Sequence, residues 1–183
     1  AALEWIANHM EENLECASAW ADERIPGLLD CRNFTVLGDG ADAAAAREGA
    51  LKLLETGYRP VCWYPLGEYL HGVQNALDAK TCLVCLLPEN VTRREQMLRL
   101  ASFARSVGAR CEVIAADGAP DGALGLRGAA FEPLSALEYL PALQVLAAGL
   151  SAAYGIDASA RRYPAFYSAM GSKMDAVACR NDR

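Results

Sequence analysis

The chain has 183 residues, of which 53% are hydrophobic and 22% charged, with a formal net charge of -6. That length lets one domain bury about two-thirds of its unfolded surface without disulfide or metal staples, and the hydrophobic share excludes a disordered or low-complexity chain. With 17 Lys and Arg against 23 Asp and Glu and no dense basic cluster, a phosphate-neutralising nucleic-acid surface is excluded, leaving small molecules or proteins as partners. The longest strand-like apolar run, Cys82 to Leu87, is far short of the roughly 18 to 20 residues of a membrane span, so none is expected. Ala1 opens a polar-punctuated helical pattern and not a basic-then-apolar leader, which points to the cytoplasm. The cysteines, at 16, 31, 62, 82, 85, 111 and 179, are odd in number and mostly sit in apolar stretches, as reduced buried thiols do.

In chain order, Leu3, Ile6, Met10, Leu14 and Ala17 recur at three or four residues, predicting an amphipathic helix from Ala1 to about Arg24 that Pro26 ends or interrupts. Asn33-Phe34-Thr35-Val36-Leu37 reads as a strand, Gly38-Asp39-Gly40 as a tight turn, and 42–56 as a helix. The unit recurs. Strands are expected at Pro60 to Tyr64, Thr81 to Leu87 and Cys111 to Ala115, with a short fifth at Ala123 to Leu126. Asn90 or Thr92 caps a helix to Val107 whose inner stripe is Met97, Leu100, Ala101, Ala104 and Val107, and whose arginines 93, 94, 99 and 105 read as a solvated face. A final helix runs from Leu134 to Tyr154 with Pro141 near its start. Strands of continuous apolar character separated by helices predict an α/β fold, a three-layer sandwich around a parallel five-stranded sheet. The expected division is an N-terminal helix region (1–31), an α/β core (32–156) and an irregular tail (157–183) carrying Arg161, Arg162, Tyr163, Phe166, Tyr167 and Lys173.

In such sheets ligands sit beyond the carboxyl ends of the strands. Gly38, Asp39 and Gly40 occupy such a place, either as a ligand-facing loop or as a turn that needs glycine only for backbone geometry. Gly38-x-Gly40-x-x-Ala43 also meets a loose dinucleotide pattern, but Arg59-Pro60-Val61 stands where its acidic residue belongs, so a nicotinamide cofactor is excluded. Cys82 and Cys85, three apart on a strand, point to opposite faces and can share neither a metal nor an easy disulfide. No zinc set is completed elsewhere, so no metal or organic cofactor is indicated. His9, beside Glu12 on the first helix, reads as a surface residue.

On the second helix Glu48, Lys52 and Glu55 share one face, which by itself is an exposed ion-pair stripe. Their context adds more. Glu48-Gly49-Ala50-Leu51-Lys52-Leu53, then Glu55 and Tyr58, a strand, and Gly67-Glu68 with His71-Gly72 resemble the sugar isomerase (SIS) family. Within it the likeness is to the second SIS domain of glucosamine-6-phosphate synthases and of fructosamine-6-phosphate deglycases. The resemblance extends from about Asn33 to Ile156 and implies a flavodoxin-like SIS fold, a homodimer and a phosphorylated sugar or amino-sugar ligand, with Glu48 among the ligand-binding positions. It implies that Glu55 shuttles the proton between C1 and C2 of an open-chain phosphosugar, that His71 assists ring opening in a site completed by another subunit, and that Lys52 is a charge partner. Proton abstraction beside a carbonyl needs a partly shielded carboxylate, and a histidine titrating near neutrality suits exchange with the ring oxygen.

Two departures from the family pattern stand out. The synthases end in a tail whose lysine reacts with the sugar carbonyl, whereas Phe166 falls about there in this chain and Lys173 lies seven residues later. The Ser/Thr-rich loop that holds the sugar phosphate in the first SIS domain of two-domain relatives has no counterpart here. The chain is therefore read either as the C-terminal half of a longer protein or as one whose phosphate site comes from elsewhere. A phosphosugar isomerase or deglycase is the first expectation, and a non-catalytic phosphosugar-binding regulatory module is the alternative.

Overall fold

The computed structural model describes residues 1–171. Lys173 and Cys179 therefore lie outside the described residues. The strands are β1 (Asn33–Gly38), β2 (Val61–Pro65), β3 (Thr81–Leu87), β4 (Arg110–Ala115) and β5 (Leu124–Gly125); the helices are α1 (Ala2–Leu28), α2 (Asp42–Gly57), α3 (Leu66–Tyr69), α4 (Val91–Ser106), α5 (Ser135–Ala153) and α6 (Pro164–Ala169). The strands form one sheet of order β2-β1-β3-β4-β5, all pairs parallel. The order reverses between β1 and β3, the switch point of an open doubly wound sheet.

Alternation along the strands separates two cores. Phe34, Val36, Cys82, Val84 and Ile114 meet α1, α2 and α5 on one face. Leu37, Leu83, Cys85, Val113 and Ala115 meet α3 and α4 on the other. Cys82 and Cys85 thus part to opposite faces, each fully buried. Among the described cysteines, Cys16 and Cys62 are exposed and the other four are buried and free.

Several local expectations need correction. α1 passes through Pro26 to Leu28, because Pro26 and Asp22, whose carbonyl loses its bond, both face solvent while Ile25 and Leu28 are buried. Leu3, Leu14 and Val107 are exposed, so the inner stripes of α1 and α4 are narrower than the spacing suggested. The arginines of α4 are not simply solvated: Arg94 Nη2 donates to Asp117 O at 2.6 Å and also to Gly118 O, and Arg105 Nη2 donates to Cys111 O at 2.7 Å. They tie α4 to β4 and the loop after it. The tail forms the short helix α6. α5, with the residues just before it, is long and apolar enough by length and composition to cross a membrane, which the longest uninterrupted run did not reveal. In the fold its Tyr139, Ala142, Leu143, Leu146, Ala147 and Leu150 are buried against α1 and α2.

The α2–α5 contact is close because Gly49 has no side chain: a Cβ there would stand 2.9 Å from Leu143 Cβ. At the amino end of α2, the Ser135 hydroxyl from α5 donates to Asp42 Oδ1. Asp42 is 2% exposed, and burial pushes its carboxyl up to about 6, with Glu132, Glu89 and Glu138 adding to the rise and the Ser135 hydrogen bond opposing it.

Two outcomes follow from this packing. Gly49→Val is expected to lower stability by about 1–3 kcal/mol through overpacking, seen as a lower urea midpoint with unchanged slope; an unmoved midpoint would mean that the helices separate without penalty. Because Asp42 binds its proton more tightly folded than unfolded, its contribution to stability falls as pH rises from about 4 to 6. Asp42→Asn, which can still accept from Ser135, is expected to be more stable than wild type at pH 7.5 by about 1–3 kcal/mol, with the gain vanishing below about pH 4. Parallel urea titrations at the two pH values would measure this, and a pH-independent difference would contradict it.

Candidate functional site

α2 descends from the carboxyl end of β1 to the amino end of β2, so residues at its two ends belong to opposite edges of the sheet. Thirteen residues separate Asp42 from Glu55, about 20 Å of helix at 1.5 Å per residue. The candidates divide accordingly.

At the upper edge, Gly38 is required by close approach, since a Cβ there would lie 2.6 Å from the Asp42 carbonyl oxygen. Gly40 has φ +56°, and a Cβ on it would stand 2.6 Å from Glu132 Oε1. Asp39 Oδ2 pairs with Arg93 Nε at 3.3 Å, bridging the switch point between the loop after β1 and the start of α4. The loop therefore faces carboxylates, and an anion at this helix start would meet Glu132. Farther along the same edge, a cavity of about 370 Å³ is lined by Glu89, Arg94, Asp117 and Tyr139 among others. Tyr139 donates to Leu87 O at 2.5 Å and accepts from Ala116 N at 3.1 Å, spanning the ends of β3 and β4. Burial pushes its phenol well above the ordinary range. Sequence reading missed Tyr139, which carries no motif and looks like one more apolar residue of α5.

At the lower edge, Lys52 Nζ lies 2.9 Å from Glu55 Oε2 and 3.3 Å from Glu48 Oε1. The hydrogen bonds to Glu55 and then to Glu48 hold the ammonium above its usual value. The Glu55 side chain keeps 50% of its surface exposed. α2 ends in a left-handed cap at Tyr58, φ 53°. The tail comes back to this point. Gly155 turns the chain with φ +67°, and Ile156 N donates to Ser151 O at 2.9 Å to close the end of α5. Arg162 then lies over the Tyr58 ring at 4.4 Å. A cavity of about 300 Å³ results, lined by Glu55, Tyr58, Arg161, Arg162, Phe166 and Tyr167 among others. Sequence reading noted the composition of the tail, but its return to Glu55 depends on the angle at which α5 ends.

His71 is exposed and follows α3, whose Leu66 and Tyr69 belong to the core opposite that of α2. Within one chain Glu55 and His71 therefore stand on opposite faces of the sheet. Likewise Gly38, Asp39 and Gly40 cannot touch the same small ligand as Glu55. His9 is exposed, stacked on Trp5 with ring centroids 4.1 Å apart. Among the described residues no three His, Cys, Asp or Glu side chains converge to hold a metal ion.

A sequence model described as the SIS domain matches residues 27–125. A glutamine–fructose-6-phosphate aminotransferase (isomerizing) of Nostoc sp. is 31% identical over 163 residues, 85% of this chain and 25% of that protein; the chain spans a quarter or less of the length of such relatives. Among solved structures, a candidate phosphosugar isomerase of Clostridium difficile 630 is 21% identical with a TM-score of 0.81, over 94% of this chain and 48% of that one. The C-terminal domain of glucosamine-fructose-6-phosphate aminotransferase of Francisella tularensis is 22% identical with a TM-score of 0.61, over 86% and 48%. With the SIS match extending over more than half of its residues, from the end of α1 to β5, this chain belongs to the SIS domain family.

Proposed function

We propose that this chain supplies the base-bearing part of a phosphosugar aldose–ketose isomerase or fructosamine-6-phosphate deglycase site. One observation carries the reading: Glu55, held by Lys52 at 2.9 Å, opens on a cavity that joins α2 to the tail, among aromatic and cationic groups. Glu55 takes the proton from the carbon beside the sugar carbonyl and returns it to the neighbouring carbon through an enediol. Such acid–base groups contribute roughly 10²- to 10⁴-fold. Lys52 fixes the carboxylate orientation, and Glu48 holds Lys52 from the other side. The half-exposed Glu55 needs shielding from water, which ligand and a second protomer provide. Because His71 stands on the other sheet face, the imidazole that opens the sugar ring comes from the partner in a homodimer, and the chain works in the cytoplasm.

The exposure of half of the Glu55 side chain favours a second reading, in which the domain only binds a phosphosugar and regulates a partner. Glu55→Gln separates the two. In assays with ketose phosphates and fructosamine phosphates, it is expected to lower turnover at least about 100-fold while ligand affinity stays within a few fold. Equal, negligible rates in both proteins with retained binding would leave the regulatory reading standing. Mixing Glu55→Gln chains with His71→Asn chains is expected to restore turnover through hybrid dimers carrying one intact site; no recovery despite exchange of subunits would refute the shared site.

A further inference from the structure

We propose that Arg161 and Arg162 form a phosphate-binding pair of the Glu55 cavity. The inference rests on the reading of Glu55 as the base and adds the side chains that hold the phosphate of its substrate. Three observations carry it. First, Arg161 and Arg162 line the cavity with Glu55, yet neither pairs with a carboxylate among the described residues. Lys52 is committed to Glu48 and Glu55, so among the described residues the two guanidinium groups are the positive charges of this cavity that no carboxylate holds.

Second, both guanidinium groups lie against aromatic rings. Arg162 Cζ lies 4.4 Å from the Tyr58 ring centre and 5.2 Å from that of Tyr163, and Arg161 Cζ lies 5.1 Å from that of Tyr167. Cation–π attraction holds each group near its ring. Two guanidinium groups match the three oxygens and double charge of a phosphate monoester better than a single carboxylate.

Third, the alternative anion site lies too far away. The glycine loop is about 20 Å of helix from Glu55 and faces Glu132. An open-chain hexose phosphate spans less than about 10 Å at ordinary bond lengths. A sugar whose carbonyl carbon reaches Glu55 cannot reach the glycine loop of the same chain, whereas Arg161 and Arg162 line the same cavity as Glu55. Phe166, 55% exposed, offers an apolar face to the carbon chain between the two ends.

Calorimetric titration of the full chain with fructose 6-phosphate, fructose and gluconate tests the assignment. Wild type is expected to bind fructose 6-phosphate at least about tenfold more tightly than either other ligand, and Arg161→Gln/Arg162→Gln to abolish that preference. Both arginines are exposed, so the variant should keep the wild-type urea midpoint. An unchanged affinity in the double variant, no preference in wild type, or gluconate binding as tightly as fructose 6-phosphate would overturn the proposal. The Glu55→Gln variant separates this result from the parent reading. If it retains turnover while the arginine variant loses affinity, the base assignment fails and the phosphate pair stands; if the arginine variant binds normally while Glu55→Gln is inactive, the pair alone fails.

Discussion

The contact between α2 and α5 governs what this fold can present. Gly49 lets α5 settle against α2 at a spacing that any side chain would prevent, and the buried Asp42–Ser135 hydrogen bond holds the upper ends of the two helices together. Once α5 lies along α2, its carboxyl end must emerge beside the carboxyl end of α2. The tail that follows is delivered to Tyr58 and Glu55 for that reason. On its other side α5 meets α1 through Gly149, where a Cβ would strike Ile25. A long apolar helix is thus clamped between two neighbours by glycine on both contacts.

Charge is distributed unevenly along the same helix. The upper edge collects Asp39, Asp42, Glu89, Glu132 and Glu138, of which Glu138 keeps a buried Oε2 without a partner. A helix start ordinarily attracts anions, but here the nearby positions are filled by the chain's own carboxylates, and Arg93 is spent on Asp39. The lower edge is the reverse, with two arginines lying against tyrosine rings beside a single carboxylate whose lysine neighbour is already shared. Within one domain, the usual ligand edge of a doubly wound sheet is the more acidic of the two.

The sheet also separates what the motif joins in sequence. Glu55 and His71 flank β2, an edge strand, but α2 covers one face of the sheet and α3 the other. A catalytic pair built from these residues requires a second surface to close around the edge strand, which gives a physical reason for shared sites in a domain of this kind.

Much of this was legible in the amino-acid order. Continuous apolar runs such as Thr81 to Leu87 disclose a doubly covered parallel strand, Asn90 marks a helix start that its side chain does cap at Arg93 N, and the spacing of Glu48, Lys52 and Glu55 gives the ion-pair stripe as found. These features are local, set by backbone period and by neighbours within a turn or two. Packing settled the others. Pro26 sits inside α1 because burial of Ile25 and Leu28 outweighs one lost hydrogen bond on the wet face. Arg162 meets Tyr58 across more than 100 residues because two helices are locked side by side, and no pattern in either segment encodes that angle. Periodicity reports which face of an element is apolar, whereas the partner of that face depends on the shapes of all the elements at once.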